Sequence, residues 1–310
     1  MVGDRRETEQ WCLRVPAMNG EEKRQALSGE GVLDRTLKPR VESTDLLLPI
    51  INWREGAERC VFDPNPERPA LPRHELIGGI AVMQEQDKDG AETILASRPN
   101  LHTVLVATSE VEGEYRTKRF AVLAGTPTTR TEVTEYGHRF TIDLSAAYFS
   151  SRLATERQRI AHLIIKDELV LDMFAGVGPF TIALADHATL VIAADINPQA
   201  LGLMLENCAQ NHVRNVLPVL ADAHHLVDII PWQFDRIVMN LPKLGALLLP
   251  DAFGLCKAGG MIHLYALVVQ EGEHRKRIEN LGGTVVGERV VRSYSATQWH
   301  AVYDIRKKGE

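Results

Sequence analysis

This 310-residue chain has no run of the ~20 consecutive apolar residues that a membrane-spanning helix needs. The opening MVGDRRETEQ has charge and no apolar core, which argues against a secretory signal and for a cytoplasmic protein. Cysteine is sparse. Cys12, Cys60, Cys208 and Cys256 are scattered, with no C-x-x-C spacing. That excludes the familiar zinc patterns, and reduced thiols are the expectation. No internal repeat or low-complexity tract occurs. A large excess of basic charge is also missing: the net charge is −6, so a protein that coats nucleic acid through charge alone is disfavoured. Local basic clusters remain at Arg116/Lys118/Arg119, at His274–Arg277 and at Arg306–Lys308.

What is present reads as an α/β protein. WCLRVPA and DLLLPIINW read as strands around a helical GEEKRQALS. The Pro-rich FDPNPERPALPRHE then reads as a linker. Four segments follow with strand character: GGIAVM, HTVLVATS, KRFAVLAG and HRFTIDLS. From residue 151 strands and helices alternate, from ELVLDMF through TLVIAAD, VLPVLAD and DRIVMN to GMIHLYALV. Two closing strands, TVVGERVVRSY and HAVYDIRKK, are near enough to pair as a hairpin. Repeated βα units predict a doubly wound, mainly parallel sheet. The predicted organisation is a small domain at 1–60, a linker at 61–74, a middle α/β domain at 75–150 and a catalytic domain at 151–310.

DMFAGVGPF, residues 172–180, lies where a buried strand turns into a helix. Gly176 and Gly178 allow a sharp turn and close approach of a ligand. Pro179 suits the first helical turn. The third glycine of a dinucleotide loop is replaced by Thr181, which points to a cofactor without phosphates. Asp195 closes the next strand, where a carboxylate can hold ribose hydroxyls, and Asp222 closes the one after. Either acid alone could be a helix cap. Two at successive strand ends favour a ligand at the carboxyl edge of the sheet.

Asn240-Leu241-Pro242 ends the fourth strand. It resembles the (Asn/Asp)-Pro-Pro-aromatic motif of methyltransferases that act on base nitrogens, with Leu241 in place of the first proline and Lys243 in place of the aromatic. An Asn side chain there can accept a hydrogen bond from a planar nitrogen. Taken in order, GEYRTKRF (113–120), YFSSRLATERQRI (148–160), DMFAGVGPF, ADINP (194–198) and MNLP (239–242) resemble the archaeal and eukaryotic tRNA (guanine-37-N1)-methyltransferase family. The opening EGVLDRTLKPR and LLLPI are similar to the small first domain of its archaeal members, so the resemblance spans nearly the whole chain.

The resemblance implies a Rossmann-like class I methyltransferase domain, with a seven-stranded sheet and a C-terminal antiparallel hairpin, preceded by two smaller α/β domains. It implies S-adenosyl-L-methionine as cofactor and no metal. The partner would be tRNA, gripped at the anticodon stem-loop and the outer corner by a monomeric enzyme, with the target base splayed out of its loop. Glu156 matches the general base, Arg116 the cation near O6, and Asn240 the group that orients guanine. Arg157 matches a cofactor-contacting position, where it would meet the methionine carboxylate or else form a surface salt bridge. The expected cofactor set is Arg157, Phe174, Gly176, Gly178, Asp195, Ile196, Asp222, Ala223, Asn240 and Pro242. Tyr148 and Phe149 read first as core residues and second as stacking partners. The alternatives are a wyosine-pathway enzyme on the same scaffold, a methyltransferase for ribosomal RNA or protein, and a non-catalytic tRNA-binding protein.

Overall fold

A computed structural model describes residues 7–65, 71–165 and 167–309. The chain forms two compact units, Met1–Ala70 and Leu71–Glu310. Among the described residues no helix is long and apolar enough to cross a membrane.

The first unit is an antiparallel sheet with one helix. Its strands are β1 (Thr8–Pro16), β2 (Arg40–Glu42), β3 (Asp45–Ile50) and β4 (Ala57–Phe62), in the order β2-β3-β1-β4; helix α1 spans Gly20–Gly29. β3 is buried on both faces, Leu47 packing with Cys12 on one and Leu48 with Leu13 and Leu27 of α1 on the other. Phe62 is buried with Leu47 and Cys12, so β4 runs into the stretch predicted to be a linker. The remainder of that predicted linker includes residues 66–70, which lie outside the described residues, as do the charged residues 1–6. The expectation of four reduced thiols is corrected here. Cys12 and Cys60 form a disulfide, because β1 and β4 pair with Cys12 opposite Glu58 and Gln10 opposite Cys60. Forty-eight residues of separation hid that diagonal contact.

The second unit opens with β5 (His74–Ile77), β6 (Ile80–Met83), β7 (Thr103–Ala107) and β8 (Phe120–Gly125), paired in that order. β6 and β7 are parallel, which demands a crossover, and α2 (Lys88–Ser97) supplies it. The Asp87 side chain caps α2 by accepting from Gly90 N at 2.9 Å. A hairpin follows, β9 (Arg130–Glu135) and β10 (His138–Asp143). Its two-residue turn puts Tyr136 and Gly137 at positive φ, as the strand twist requires.

The large sheet has β11 (Leu169–Asp172), β12 (Leu190–Asp195), β13 (Val216–Leu220), β14 (Phe234–Met239), β15 (Cys256–Val268), β16 (Gly283–Ser293) and β17 (Trp299–Lys307). The order is β13-β12-β11-β14-β15-β17-β16. All neighbours are parallel except β17, which runs antiparallel to both β15 and β16. The direction of strand addition reverses between β11 and β14, and a ligand crevice is expected outside the strand ends there. The flanking helices are α3 (Ala154–Ala161), α4 (Pro179–Ala185), α5 (Pro198–Gln210), α6 (Leu226–Ile229), α7 (Leu249–Leu255) and α8 (Arg275–Asn280). The Asn207 and Asn211 side chains of the α5 region accept from the backbone of Thr141 and Arg139 at 2.7 and 2.8 Å. The β9–β10 hairpin is thereby fastened to the large sheet's own helix.

Candidate active site

A cavity of about 690 Å³ opens at the carboxyl edge of the large sheet, beside the β11/β14 reversal. The sequence places residues there by one device. β11 and β12 end in Asp172 and Asp195, and Asp222 and Asn240 follow within two residues of the ends of β13 and β14. After β12, Asn197 caps α5: its carbonyl oxygen accepts from Gln199 N at 2.9 Å and Ala200 N at 3.3 Å, with Pro198 in the first turn. Such a cap is worth ~1 kcal/mol. The Asn197 amide also donates to Ala146 O at 2.7 Å, tying the helix start to the segment before α3.

The glycine loop has two glycines with different duties. Gly176 lines the cavity at φ 55°, and a Cβ there would meet nothing nearer than Tyr148 O at 4.0 Å. Gly178 is not among the residues that line the cavity. It sits at φ 86°, and a Cβ would strike Met204 of α5 at 2.6 Å. It is glycine so that α4 can start and pack.

Asp195 is tied down through its carboxylate. Its Oδ2 accepts from Gly176 N at 2.7 Å and Oδ1 from Asn197 N at 2.9 Å. Burial raises its pKa, and these backbone N–H groups oppose the rise. Asp222 lines the cavity and accepts from His224 N at 3.0 Å, so it is a cap as well as a wall. Phe174, Ile196 and Ala223 supply apolar lining between the two acids. Thr181 takes up the position of the missing glycine. Its hydroxyl donates to Asp172 Oδ2 at 2.8 Å, and burial pushes the Asp172 carboxyl up to about 7. Asp172 was not singled out in the sequence, although its place at the end of β11 was a signal. Asp195 and Asp222, the two acids that line the cavity, suit a phosphate-free ligand with vicinal hydroxyls and disfavour a pyrophosphate.

Arg157 lines the cavity but is buried, not at a surface: it is 3% exposed. It pairs with Glu135 of β9 at 2.6 Å and donates to Ser150 O at 2.6 Å, and its Nε has no partner. Burial lowers its pKa against the Glu135 charge. Phe149 is buried beneath it, as the core reading had it, whereas Tyr148 is 61% exposed on the cavity wall.

On the other side stand Asn240, Leu241, Pro242 and Arg116. The Asn240 side-chain oxygen is buried with no hydrogen-bond partner among the described residues. Such a group costs ~1–3 kcal/mol unless a ligand satisfies it. Arg116 holds a non-glycine positive φ of 54° in a turn closed by Arg116 N donating to Gly113 O. Its side chain lines the cavity. The other basic clusters are partly consumed: Arg275 pairs with Glu288, and Lys307 donates to the Phe253 and Cys256 carbonyls.

Glu156 does not line the cavity. Its side chain is 12% exposed, held by Arg159 Nε at 2.9 Å and by the Tyr265 hydroxyl at 3.1 Å. Behind it runs a buried chain that sequence reading missed. Arg159 donates to Asp304, Asp304 bonds to His263 at 2.6 Å, and Arg236 donates to His263 Nε2 at 2.7 Å and to Glu168 at 2.7 Å. Burial would raise the Asp304 pKa, but the His263 hydrogen bond and the Arg159 charge hold it well below the usual carboxylate range. His300 and Arg292 of the closing strands also line the cavity, and neither was picked from the sequence.

The TRM5/TYW2 methyltransferase domain matches residues 131–288, and the tRNA methyltransferase 5 N-terminal domain matches residues 12–58. The chain belongs to the TRM5/TYW2 methyltransferase family. It is 36% identical to the tRNA (guanine(37)-N(1))-methyltransferase Trm5b of Pyrococcus abyssi, over 95% of this chain and 98% of that protein. It is 32% identical to the tRNA 4-demethylwyosine(37)-methyltransferase Taw21 of Saccharolobus solfataricus, over 76% of this chain and 93% of that one. The fold matches a solved complex of aTrm5 and tRNALeu with a TM-score of 0.73, at 28% identity, covering 96% of this chain and 99% of that one. It also matches TYW2 of Methanocaldococcus jannaschii in complex with AdoMet, with a TM-score of 0.59 at 25% identity, covering 77% and 100%. The family's methyltransferase fold is thus the doubly wound sheet with a closing antiparallel pair seen here.

Proposed function

We propose that this protein transfers a methyl group from S-adenosyl-L-methionine to N1 of guanosine 37 in tRNA, leaving 1-methylguanosine beside the anticodon. The observation that carries this reading is the buried, unpartnered Asn240 carbonyl oxygen at the end of β14. Asn240 lines the cavity, and its oxygen is an acceptor that a planar N–H donor of the bound base would satisfy.

The cofactor side fits S-adenosylmethionine. Asp195 accepts from the ribose hydroxyls, Gly176 allows close approach, and Phe174, Ile196 and Ala223 flank the adenine. Asp222 accepts from the adenine amine, while Arg157 and Pro242 complete the wall. When bound, the cofactor supplies a methyl on a sulfonium leaving group. The chain's own residues prepare the acceptor. Asn240 orients the guanine edge, Tyr148 stacks on the base, and Arg116 takes the charge that builds on O6. Glu156, held by Arg159 and Tyr265 outside the cavity lining, turns toward the bound base to accept the N1 proton. The target base must leave its stack to reach this pocket.

Residues 1–60 and 75–150 are read as tRNA-facing parts, against the outer corner and the anticodon stem-loop. The protein works as a cytoplasmic monomer. A match over residues 12–58 supports this reading over a wyosine-pathway one, because the wyosine-type relative spans only 76% of the chain. The test is methyl transfer to tRNA transcripts carrying guanosine, adenosine, inosine or a wyosine precursor at position 37, with the product nucleoside identified by mass spectrometry. Formation of 1-methylguanosine on the guanosine transcript is expected. A product on the wyosine precursor alone would overturn the reading.

A further inference from the structure

Three strands beyond the Asn-Leu-Pro segment carry a row of groups that the proposed chemistry leaves unused. β14 pairs with β15 so that Met239 faces Leu264, and alternation puts Asn240 on the same face as Tyr265 and Leu267. Across β15, Leu267 pairs with His300 of β17, and His300 pairs with Arg292 of β16. Asn240, Leu267, His300 and Arg292 therefore lie on one face, and all four line the cavity. It is the face over which the Tyr265 hydroxyl meets Glu156.

His300 is 2% exposed, and neither ring nitrogen has a partner among the described residues. Its ring stands edge-on to Tyr265, with 5.7 Å between centroids. Burial and the nearby Arg292 charge lower its pKa to about 4, so the ring is neutral and keeps one donor and one acceptor. Arg292 is half-buried, forms no ion pair among the described residues, and has an unpartnered Nε. A core does not gain from two such residues side by side. Their hydrogen-bonding capacity points to something that binds.

We propose that Asn240, His300 and Arg292 form a cradle for the whole target nucleotide, with Asn240 on the base, His300 on the ribose 2′-hydroxyl and Arg292 on a flanking phosphate. The inference rests on the reading of the cavity as a tRNA methylation site. The row changes from a neutral acceptor, to a neutral donor–acceptor, to a cation, in the order in which a nucleotide presents base, sugar and phosphate. Three strand steps of ~4.8 Å separate the ends of the row, about 14 Å, which a long Arg side chain shortens. A hydroxyl is donor and acceptor at once, as neutral imidazole is, and it distinguishes RNA from DNA at that site.

The experiment compares tRNA bearing guanosine 37 with the same tRNA bearing 2′-deoxyguanosine 37. Wild-type protein should lose about 10-fold in kcat/KM on the deoxy substrate. His300→Phe should be slow on both, with a ratio near one, and His300→Gln should restore the discrimination. His300→Phe should melt no lower than wild type, because it removes a buried polar group without a partner. Arg292→Gln should weaken tRNA binding and flatten the salt dependence by about one unit of slope. A wild type indifferent to the 2′-hydroxyl, or a His300→Phe variant that keeps the full deoxy penalty, overturns the ribose contact. An unchanged salt slope overturns the phosphate contact. Failure of the wild type to form 1-methylguanosine at all would instead sink the methylation reading itself.

Discussion

The two sides of the cavity treat their polar groups in opposite ways. On the β11–β13 side the acids are already engaged. Asp195 holds Gly176 N and Asn197 N, Asp222 holds His224 N, and Asp172 holds Thr181. On the β14–β17 side the Asn240 oxygen and both His300 nitrogens have no partner among the described residues. The first side is pre-organised for a small ligand of fixed shape. The second stores unmet hydrogen bonds for a partner that must arrive in the right geometry, which is how a site rejects a substrate lacking those groups. Binding and selection are thus divided between the two halves of one sheet edge.

Substitutions on each side should separate along this line. The largest effect belongs to Glu156→Gln, which should keep cofactor and tRNA affinity yet slow single-turnover transfer by ~10²–10⁴-fold. Near-normal transfer would remove Glu156 from the chemistry. Arg116→Ala comes next, with a chemical step reduced by about 10²-fold and tRNA affinity changed much less. The reverse pattern would make Arg116 a phosphate contact. Asp195→Ala should weaken cofactor binding about 10-fold in calorimetry, leaving tRNA affinity alone. If Asn240→Ala weakened cofactor binding as much as Asp195→Ala does, the two sides would not be separable.

The smallest effect is a pH dependence of stability. Asp172 titrates near 7 in the fold, raised by burial from an ordinary value of ~3.9. The folded protein therefore holds that proton where the unfolded chain has lost it. Its contribution is full below about pH 4 and is lost as pH rises through 7. The wild-type melting temperature, less that of Asp172→Asn, should fall by a few degrees between pH 5 and pH 8. A difference that stays flat would show that the Asp172–Thr181 pair does not bury a protonated acid.

Much of the large sheet was legible in the sequence because β11, β12 and β14 are apolar runs closed by Asp or Asn with Gly or Pro close behind. DMFAGVGPF, ADINP and MNLP announce both element and site. Less was legible where the pattern is local but polar. RTEVTE of β9 alternates without an apolar face, and α2 starts at Asp87 inside a run of charge. Contacts that join distant strands left no trace at all. Cys12 and Cys60 meet only once β1 and β4 pair. The row from Glu156 to Asp304 to Glu168 needs α3, β17, β15, β14 and the start of β11 to be assembled first. His300 reads as an ordinary strand residue until the register places it beside Leu267. At Gly178 the motif hides a packing need that the sequence does not show, since a Cβ there would strike Met204.

β17 enters the sheet between β15 and β16, although it comes last of the three in the chain. It brings Asp304, which anchors Arg159 behind Glu156, and it brings His300 to the cavity. During synthesis at ~5–20 residues per second, the glycine loop and its acids can assemble well before this strand emerges. A nascent chain could then hold cofactor while lacking the support for its base and part of its acceptor wall. Methylation competence would thus appear only once β17 has emerged and entered the sheet. Chains stalled before Trp299, assayed for cofactor retention and for transfer, should retain the first and lack the second.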